Sequence, residues 1–311
     1  MRSELGATAV GRFLRSIAVV FGVVTIVFFM SRGAGDPVSR LAPIDATQQE
    51  IEEAKERYGL NDPMIEQYGR FLWDIVRLEF GQSFRATRPA TDVVGERLVA
   101  TIQLGAAGLF VAFAIGIPLG IVAAVRRGGA TDIFSRIGAL FGQAVPNFWL
   151  GLMLILFVAL YIDFIPTGGR TSPQSIILPA ITLGSFPAAA VMRFTRSAML
   201  DTLQQDYIRT ARAKGLSERA VLFKHALRNS MLAVITLLGL QVGNILSGAI
   251  IVETVFAWPG LGQLIIQSIV ATDYPVVQAS VLLTSVWIVF INLVVDVSYT
   301  FIDPRIRTGA I

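Results

Sequence analysis

Six stretches of this chain run for 16 to 28 residues without one charged side chain: Ser16 to Ser31, Leu98 to Val125, Ile137 to Ile162, Thr171 to Met192, Asn229 to Val252 and Tyr274 to Val295. A helix needs about 20 apolar residues to cross about 30 Å of hydrocarbon, so each run predicts a membrane-spanning helix. The first is short, but Phe13 and Leu14 flank it, and Arg12 and Arg15 can extend their charged ends to the interface. No small-residue cleavage site follows it, so it reads as a span and not as a removed leader. With 54% hydrophobic and 15% charged residues, the chain is too apolar for an ordinary soluble domain.

A seventh charge-free run, TVFAWPGLGQLIIQSIVAT (Thr254 to Thr272), contains Trp258-Pro259-Gly260 and then Gly262. These break a helix near its start, and the remainder from Leu261 to Ala271 is too short to cross. It is expected to be an interfacial or re-entrant helix. Six spans place both termini on one side. That side carries 16 of the 26 lysines and arginines, eight of them between Arg193 and Arg228, and is therefore expected to be cytoplasmic.

Residues 32–97 then form an extracytoplasmic insert with 12 acidic residues. TQQEIEEAKERYGL predicts a helix with Thr47 as N-cap, Glu50 completing a capping box and Gly59 as the stop. A second, amphipathic helix is expected from Pro63 to Phe80, with Met64, Tyr68, Phe71, Leu72, Ile75 and Leu78 along one side. The insert reads as a helical cap on the membrane surface, either a spacer or a contact for an external partner. GIPLG, AVPNFWLG and ILPAITLG interrupt three spans and predict kinks and close helix contacts.

Several chemistries are excluded. There is no cysteine and one histidine, so neither thiolate sites nor a histidine-built metal centre is expected. HExxH, GxSxG and a nucleotide-binding GxxxxGK[ST] are missing, and the chain is read as neither an enzyme nor an ATP-binding protein. A net charge of +4 is explained by loop arginines without nucleic acid. Glu253 closes the fifth span, and Asp296 in the sixth can pair with Arg193 at the same depth. Gln103, Asn147, Gln241 and Asn244 either line a translocation path or join helices.

The loop DYIRTARAKGLSERAVLFKHALRN, Asp206 to Asn229, carries six basic residues against two acidic ones. Asp206 is expected to cap a short helix that Gly215 ends, and Ser217 to cap a second helix. The first piece, about 12 Å long at 1.5 Å per residue, is a peg too short to span anything. Tyr207, Ile208 and Ala211 share one face of it, while Arg209 and Arg212 share another. Exposed ion pairs contribute about 0 to 1 kcal/mol. Burying Tyr207 and Ile208 in a partner's groove would contribute about 1.5 to 3 kcal/mol each. The apolar face is therefore the expected mechanical contact, with Arg209, Arg212 and Lys214 orienting it around Gly215.

In this loop the sequence resembles the permease subunits of binding-protein-dependent ABC importers, in the dipeptide/oligopeptide branch. Aligned on Gly215, Ala211 matches the family's second alanine, while its Glu, Ile and Pro are absent, as in the form typical of the peptide branch. The resemblance extends to LNDPMIEQYGRFL, GQSFRATRPATDVVGERL, VETVFAWPGLGQL, DYPVVQA, NLVVDVSY and DPRIR, covering nearly the whole chain.

It implies an all-α polytopic protein with six transmembrane helices and the type I ABC importer permease fold. Residues 1–311 would form a single permease domain with an insert at 32–97 and a coupling loop at 200–230. Its expected setting is a bacterial or archaeal cytoplasmic membrane, in contact with lipid. The implied partners are a second homologous permease, two cytoplasmic ATP-binding subunits that hold ATP and magnesium, and an extracytoplasmic solute-binding protein. The implied cargo is di- or oligopeptides, with glutathione, nickel chelates and opine-like solutes as alternatives within the class. An ion-driven secondary carrier is the alternative from another class.

Overall fold

The computed structural model describes the backbone of residues 2–33, 47–57 and 59–302. Within those, the side chains of 2–14, 16, 54, 57, 232–233, 235–244, 246–247 and 296–302 lie outside the description. Every regular element among the described residues is helical, and the chain divides into two compact units, residues 1–99 with 263–289 and residues 100–262 with 290–311.

The first unit contains α1 (Arg2–Gly33), α2 (Gln48–Arg57) and α3 (Met64–Arg77). The start of α2 is set locally: Glu50 N–H donates to Thr47 Oγ1 at 3.3 Å, and Thr47 N–H donates to the Glu50 carboxylate at 2.8 Å. This is the expected capping box, and it holds the Glu50 carboxyl below its usual pKa. Gly59 follows at φ +60°, a left-handed turn that glycine adopts without strain.

Helix α3 ends at Arg77, three residues before the predicted limit, because Leu78 takes the left-handed cap position at φ 59°. Its aromatic residues pack on α1: Phe28 lies 5.2 Å from both Tyr68 and Phe71, and Thr25 Oγ1 hydrogen-bonds Tyr68 Oη at 2.7 Å. Met64 and Leu78, expected on the same apolar side, remain exposed. In the same unit, the buried Asp273 carboxylate accepts from Ser83 Oγ at 2.6 Å and from Phe84 N–H at 3.1 Å.

Five of the six predicted spans fall on continuous helical segments. Helices α4 (Ala90–Val125), α7 (Ile177–Leu203, preceded by a 3₁₀ turn from Pro173) and α12 (Tyr274–Ile302) each contain a segment long and apolar enough to cross a bilayer. The third run departs from expectation. It is not one kinked helix but two, α5 (Ala130–Ala144) and α6 (Asn147–Leu154, continuing as a π turn Ile155–Ala159), bent by 103°. Pro146 lacks an N–H to continue the first helix and biases Val145 away from helical angles, and Val145 is extended at ψ 121°. Helix α10 (Arg228–Val255) carries the fifth run, and α11 (Leu261–Val270) is the short helix expected after the Trp-Pro-Gly break.

Helix α7 organises the second unit. Its candidate span is 72% buried, against 33% for α4, and it packs on α5, α6 and α10. Lipid tails are as apolar as leucine, so these contacts depend on closely fitted surfaces more than on hydrophobicity. Small residues provide the fit against α4. A β-carbon on Gly184 would lie 2.5 Å from Gly108 O, one on Gly116 2.7 Å from Ala188 O, and one on Gly120 2.7 Å from Met192 O.

The same helix carries Arg196, which grips Asp132 of α5 through two bonds of 2.7 and 2.9 Å, while Gly128 N–H donates to the same carboxylate at 3.0 Å. Asp132 is 1% exposed. The proposed Asp296 to Arg193 pair falls outside the described side chains.

Asp132→Asn is expected to cost about 3 kcal/mol, because it leaves Arg196 partly buried without its counter-charge. Replacing the pair together by leucine at 132 and methionine at 196 should recover most of that loss. Thermal melts of the single and double variants in detergent measure both.

Candidate functional site

The peg is present as α8 (Asp206–Ala213). Gln205, not Asp206, occupies the N-cap position and makes no side-chain cap bond, so Asp206 is the first helical residue and its charge lies at the positive end of the helix. Gly215 closes the helix at φ +78°, and its N–H donates to Arg212 O at 2.9 Å. Ser217 Oγ then accepts from Ala220 N–H, opening α9 (Glu218–Ala220). A π-helical stretch, Val221–Leu227, carries the chain directly into α10. The predicted peg, glycine joint and second helix all occur, with the second helix continuous with a span.

The expected contact face is placed differently. Ile208 is fully buried and Ala211 is 6% exposed, and both belong to an apolar cluster with Ala124, Met199, Val221 and Ala226 of this same chain. An amphipathic helix of eight residues has too few hydrogen bonds to persist alone, and its apolar side is spent on holding it to the bundle. Ile208 and Ala211 are thus anchors and not an outward knob. The exposed surface includes Tyr207, Arg209, Arg212 and Lys214, along with Asp206, Thr210 and Ala213. Tyr207 Oη accepts from Asn229 Nδ2 at 2.8 Å, and Arg212 donates to the Glu218 carboxylate at 2.8 Å, which fixes that arginine across the glycine joint.

A second constellation was not legible as such. After α10, Ala257 takes φ 48° and the chain turns so that Trp258 is 2% exposed, its indole N–H donating to Ala100 O at 2.9 Å. Glu253, expected at the rim of a span, is wholly buried and accepts from Thr101 Oγ1 at 2.6 Å, while Thr101 Oγ1 accepts from Leu261 N–H at 2.8 Å. Gly260 permits this packing: a β-carbon there would fall 2.1 Å from Glu253 Oε1. Gly169 N–H donates to Phe256 O at 2.7 Å, tying the loop before α7 to the same turn.

Of the four candidate path residues, Gln103 accepts from Arg170 Nη2 at 2.6 Å and lines a recess with Trp258, over whose ring Arg170 lies at 5.8 Å. Asn147 stands half-buried at the first position of α6, beside Gly248 of α10. Gln241 and Asn244 lie on α10 outside the described side chains. The signal for the Trp258 constellation was present in VETVFAWPGLGQL as an acid, a tryptophan and two glycines within ten residues.

A chain whose described elements are all helical, with several apolar spans, polar anchors at its turns and a short exposed peg between two spans, has the architecture of a membrane transport subunit. A family model described as binding-protein-dependent transport system inner membrane component matches residues 116–308, and the chain belongs to that family.

Its relatives include the glutathione transport system permease protein GsiC of Escherichia coli (strain K12), 42% identical over 297 residues, spanning 95% of this chain and 97% of that protein. The oligopeptide transport system permease protein AppB of Bacillus subtilis (strain 168) is 38% identical over 315 residues, spanning 97% and 100%. Among solved structures, inward-facing conformations of the MetNI methionine ABC transporter match with a TM-score of 0.57 at 18% identity, covering 68% of this chain and 96% of that one. An amino acid ABC transporter with histidines matches at 0.51 and 14%, covering 68% and 94%. The fold is that of a type I ABC importer permease, and the chain is a transmembrane subunit of an ABC importer, not the subunit that hydrolyses ATP.

Because Ile208 is an anchor, Ile208→Asp is expected to destabilise the chain by about 3 kcal/mol or more, through lost burial and an unpaired charge in an apolar cluster. Limited proteolysis should then cut first around residues 204–217, whether or not partner subunits are present.

Proposed function

We propose that this chain forms the translocation path of an ATP-driven importer of short peptides, glutathione among them. The observation that carries this reading is similarity along nearly the full chain to two permeases whose names share one cargo chemistry. Glutathione is itself a tripeptide, so a path for small, flexible peptides accommodates both. A second homologous permease, two ATP-binding subunits holding ATP and magnesium, and an external solute-binding protein complete the machine. Both termini and the peg lie on the cytoplasmic side in this reading, supported by the excess of arginine and lysine there.

The ATP-binding subunits grip the exposed side of α8. Arg209 is exposed and Lys214 lies at the helix end, while Arg212 is held by Glu218 and Tyr207 by Asn229. With Asp206 beside Arg209 at 3.4 Å and Glu218 beside Arg212 at 2.8 Å, they present a surface of mixed charge, net +1, with one phenol. Ile208 and Ala211 beneath them pass displacement of the peg into Met199 of α7 and Val221 ahead of α10.

Reconstitution of the full complex in proteoliposomes tests the cargo. Labelled glutathione and a neutral tripeptide should accumulate only with ATP and the binding protein; uptake driven by an ion gradient without ATP-binding subunits would reject the proposal. Reversing Arg209 and Lys214 to glutamate is expected to lower ATP-driven uptake about tenfold or more, by opposing a complementary partner surface. The melting temperature of the isolated chain should change little, since both side chains are exposed.

A further inference from the structure

Helix α3 has more apolar surface than its packing in the first unit uses. At about 100° per residue, Phe71, Tyr68, Leu72, Ile65, Val76 and Trp73 follow one another around one side of the helix, and Glu66, Arg77, Arg70 and Asp74 around the other. One half of the apolar arc meets α1: the Phe71 and Tyr68 rings each lie 5.2 Å from Phe28, and Leu72 is half-buried. The other half is open, with Ile65 80%, Val76 76% and Trp73 57% exposed. A contiguous apolar stripe of this kind marks a surface that something other than water covers.

The contacts with α1 set the depth of that stripe. The charge-free run of α1 ends at Ser31, and Arg32 is the first charge beyond it. Helix α3 lies beside the run and not past its end: Tyr68 Oη hydrogen-bonds Thr25 Oγ1, and Thr25 is six residues, about 9 Å along the axis, back from Ser31. Phe71 stacks on Phe28, three residues or about 4.5 Å back. Helices that lie in a membrane interface hold their apolar side at this depth, about 5–10 Å into the boundary between headgroups and acyl chains. The stripe also adjoins exposed apolar surface of α1 itself, since Phe29, 51% exposed, stacks on Tyr68 at 5.8 Å. At its edge, the Arg77 guanidinium lies 4.7 Å from the Trp73 ring, a tryptophan and an arginine side by side as suits headgroup level.

We propose that α3 is an interfacial helix whose open stripe of Ile65, Val76 and Trp73 is immersed in lipid, in the leaflet at the Arg32 end of α1. The occupant of that face is the acyl boundary of the bilayer, not a soluble protein and not a second copy of this chain. Glu66, Arg70, Asp74 and Arg77 sum to zero charge, so apolar burial holds the helix there without anionic headgroups. The insert is thereby tied to the membrane twice, through α1 and through α3. This inference does not depend on which solute is carried.

The chain has no cysteine, so single spin labels report the environment of each position without background. Ile65→Cys and Val76→Cys test the stripe and Arg70→Cys is the control on the polar side, each carrying a nitroxide on the full-length chain in nanodiscs of phosphatidylcholine alone. Relaxation of the label by oxygen, which concentrates in hydrocarbon, is compared with relaxation by a nickel chelate, which stays in water. Labels at 65 and 76 should respond to oxygen and be protected from the chelate, at about 5–10 Å below the headgroups, and the label at 70 should do the reverse. The side chains of Ile65 and Val76 are exposed, so the labelled chains should melt at the temperature of the unlabelled one. Chelate access at 65 and 76 equal to that at 70 shows a face open to water and overturns the proposal. Protection from both reagents assigns the face to a protein contact and overturns it equally, whether seen in the chain alone or only once the partner permease and binding protein are added.

Discussion

The approach of α4 to α7 is the contact on which the second unit depends. In water, two apolar helices are driven together by burial, but in hydrocarbon only contact distance and polar pairing distinguish one packing from another. Gly108, Gly116 and Gly120 recur at spacings of eight and four along α4, which keeps them on one side of the helix. They lie so close to α7 that Ala188 O and Met192 O leave no room for a β-carbon on Gly116 and Gly120, and Gly108 O leaves none for one on Gly184. With α7 held this way, Arg196 reaches Asp132 on α5, and Met199 reaches the cluster that fixes the peg. Steric fit, ion pair and peg thus lie in sequence along one helix.

How much of this was legible in the sequence follows the range of the interaction. The spans were legible because a bilayer demands long apolar runs: among the described residues, three runs lie on helices long and apolar enough to cross, and the third run forms a bent pair that could make a fourth. The Thr47 and Glu50 capping box was legible because its partners lie three residues apart. Trp258-Pro259-Gly260 announced a break for the same local reason. The 103° bend was underestimated, since a proline in a span signals a kink without giving its size.

Burial of Ile208 was misjudged for a deeper reason. An apolar face on a short cytoplasmic-type helix looks the same whether it meets another chain or its own, and the deciding neighbours, Ala124 and Met199, come from other helices. Asp132 hid its partner 64 residues away. In each case the local pattern was correct and the partner unspecified. The peptide-branch likeness located the peg, and only the packing separated its anchors from its exposed side.

The π-helical stretch Val221–Leu227 gives the connection between peg and span an adjustable phase. A helix with i to i+5 bonding holds one residue more in each closed ring than an α-helix. One α-helical residue corresponds to about 100° around the axis. Converting one such ring to α geometry would therefore turn every side chain beyond it, along the whole of α10, by about that angle relative to the peg. In the seven residues that look like a mere continuation of a helix, a small change of bonding register would change which face of the next span meets its neighbours.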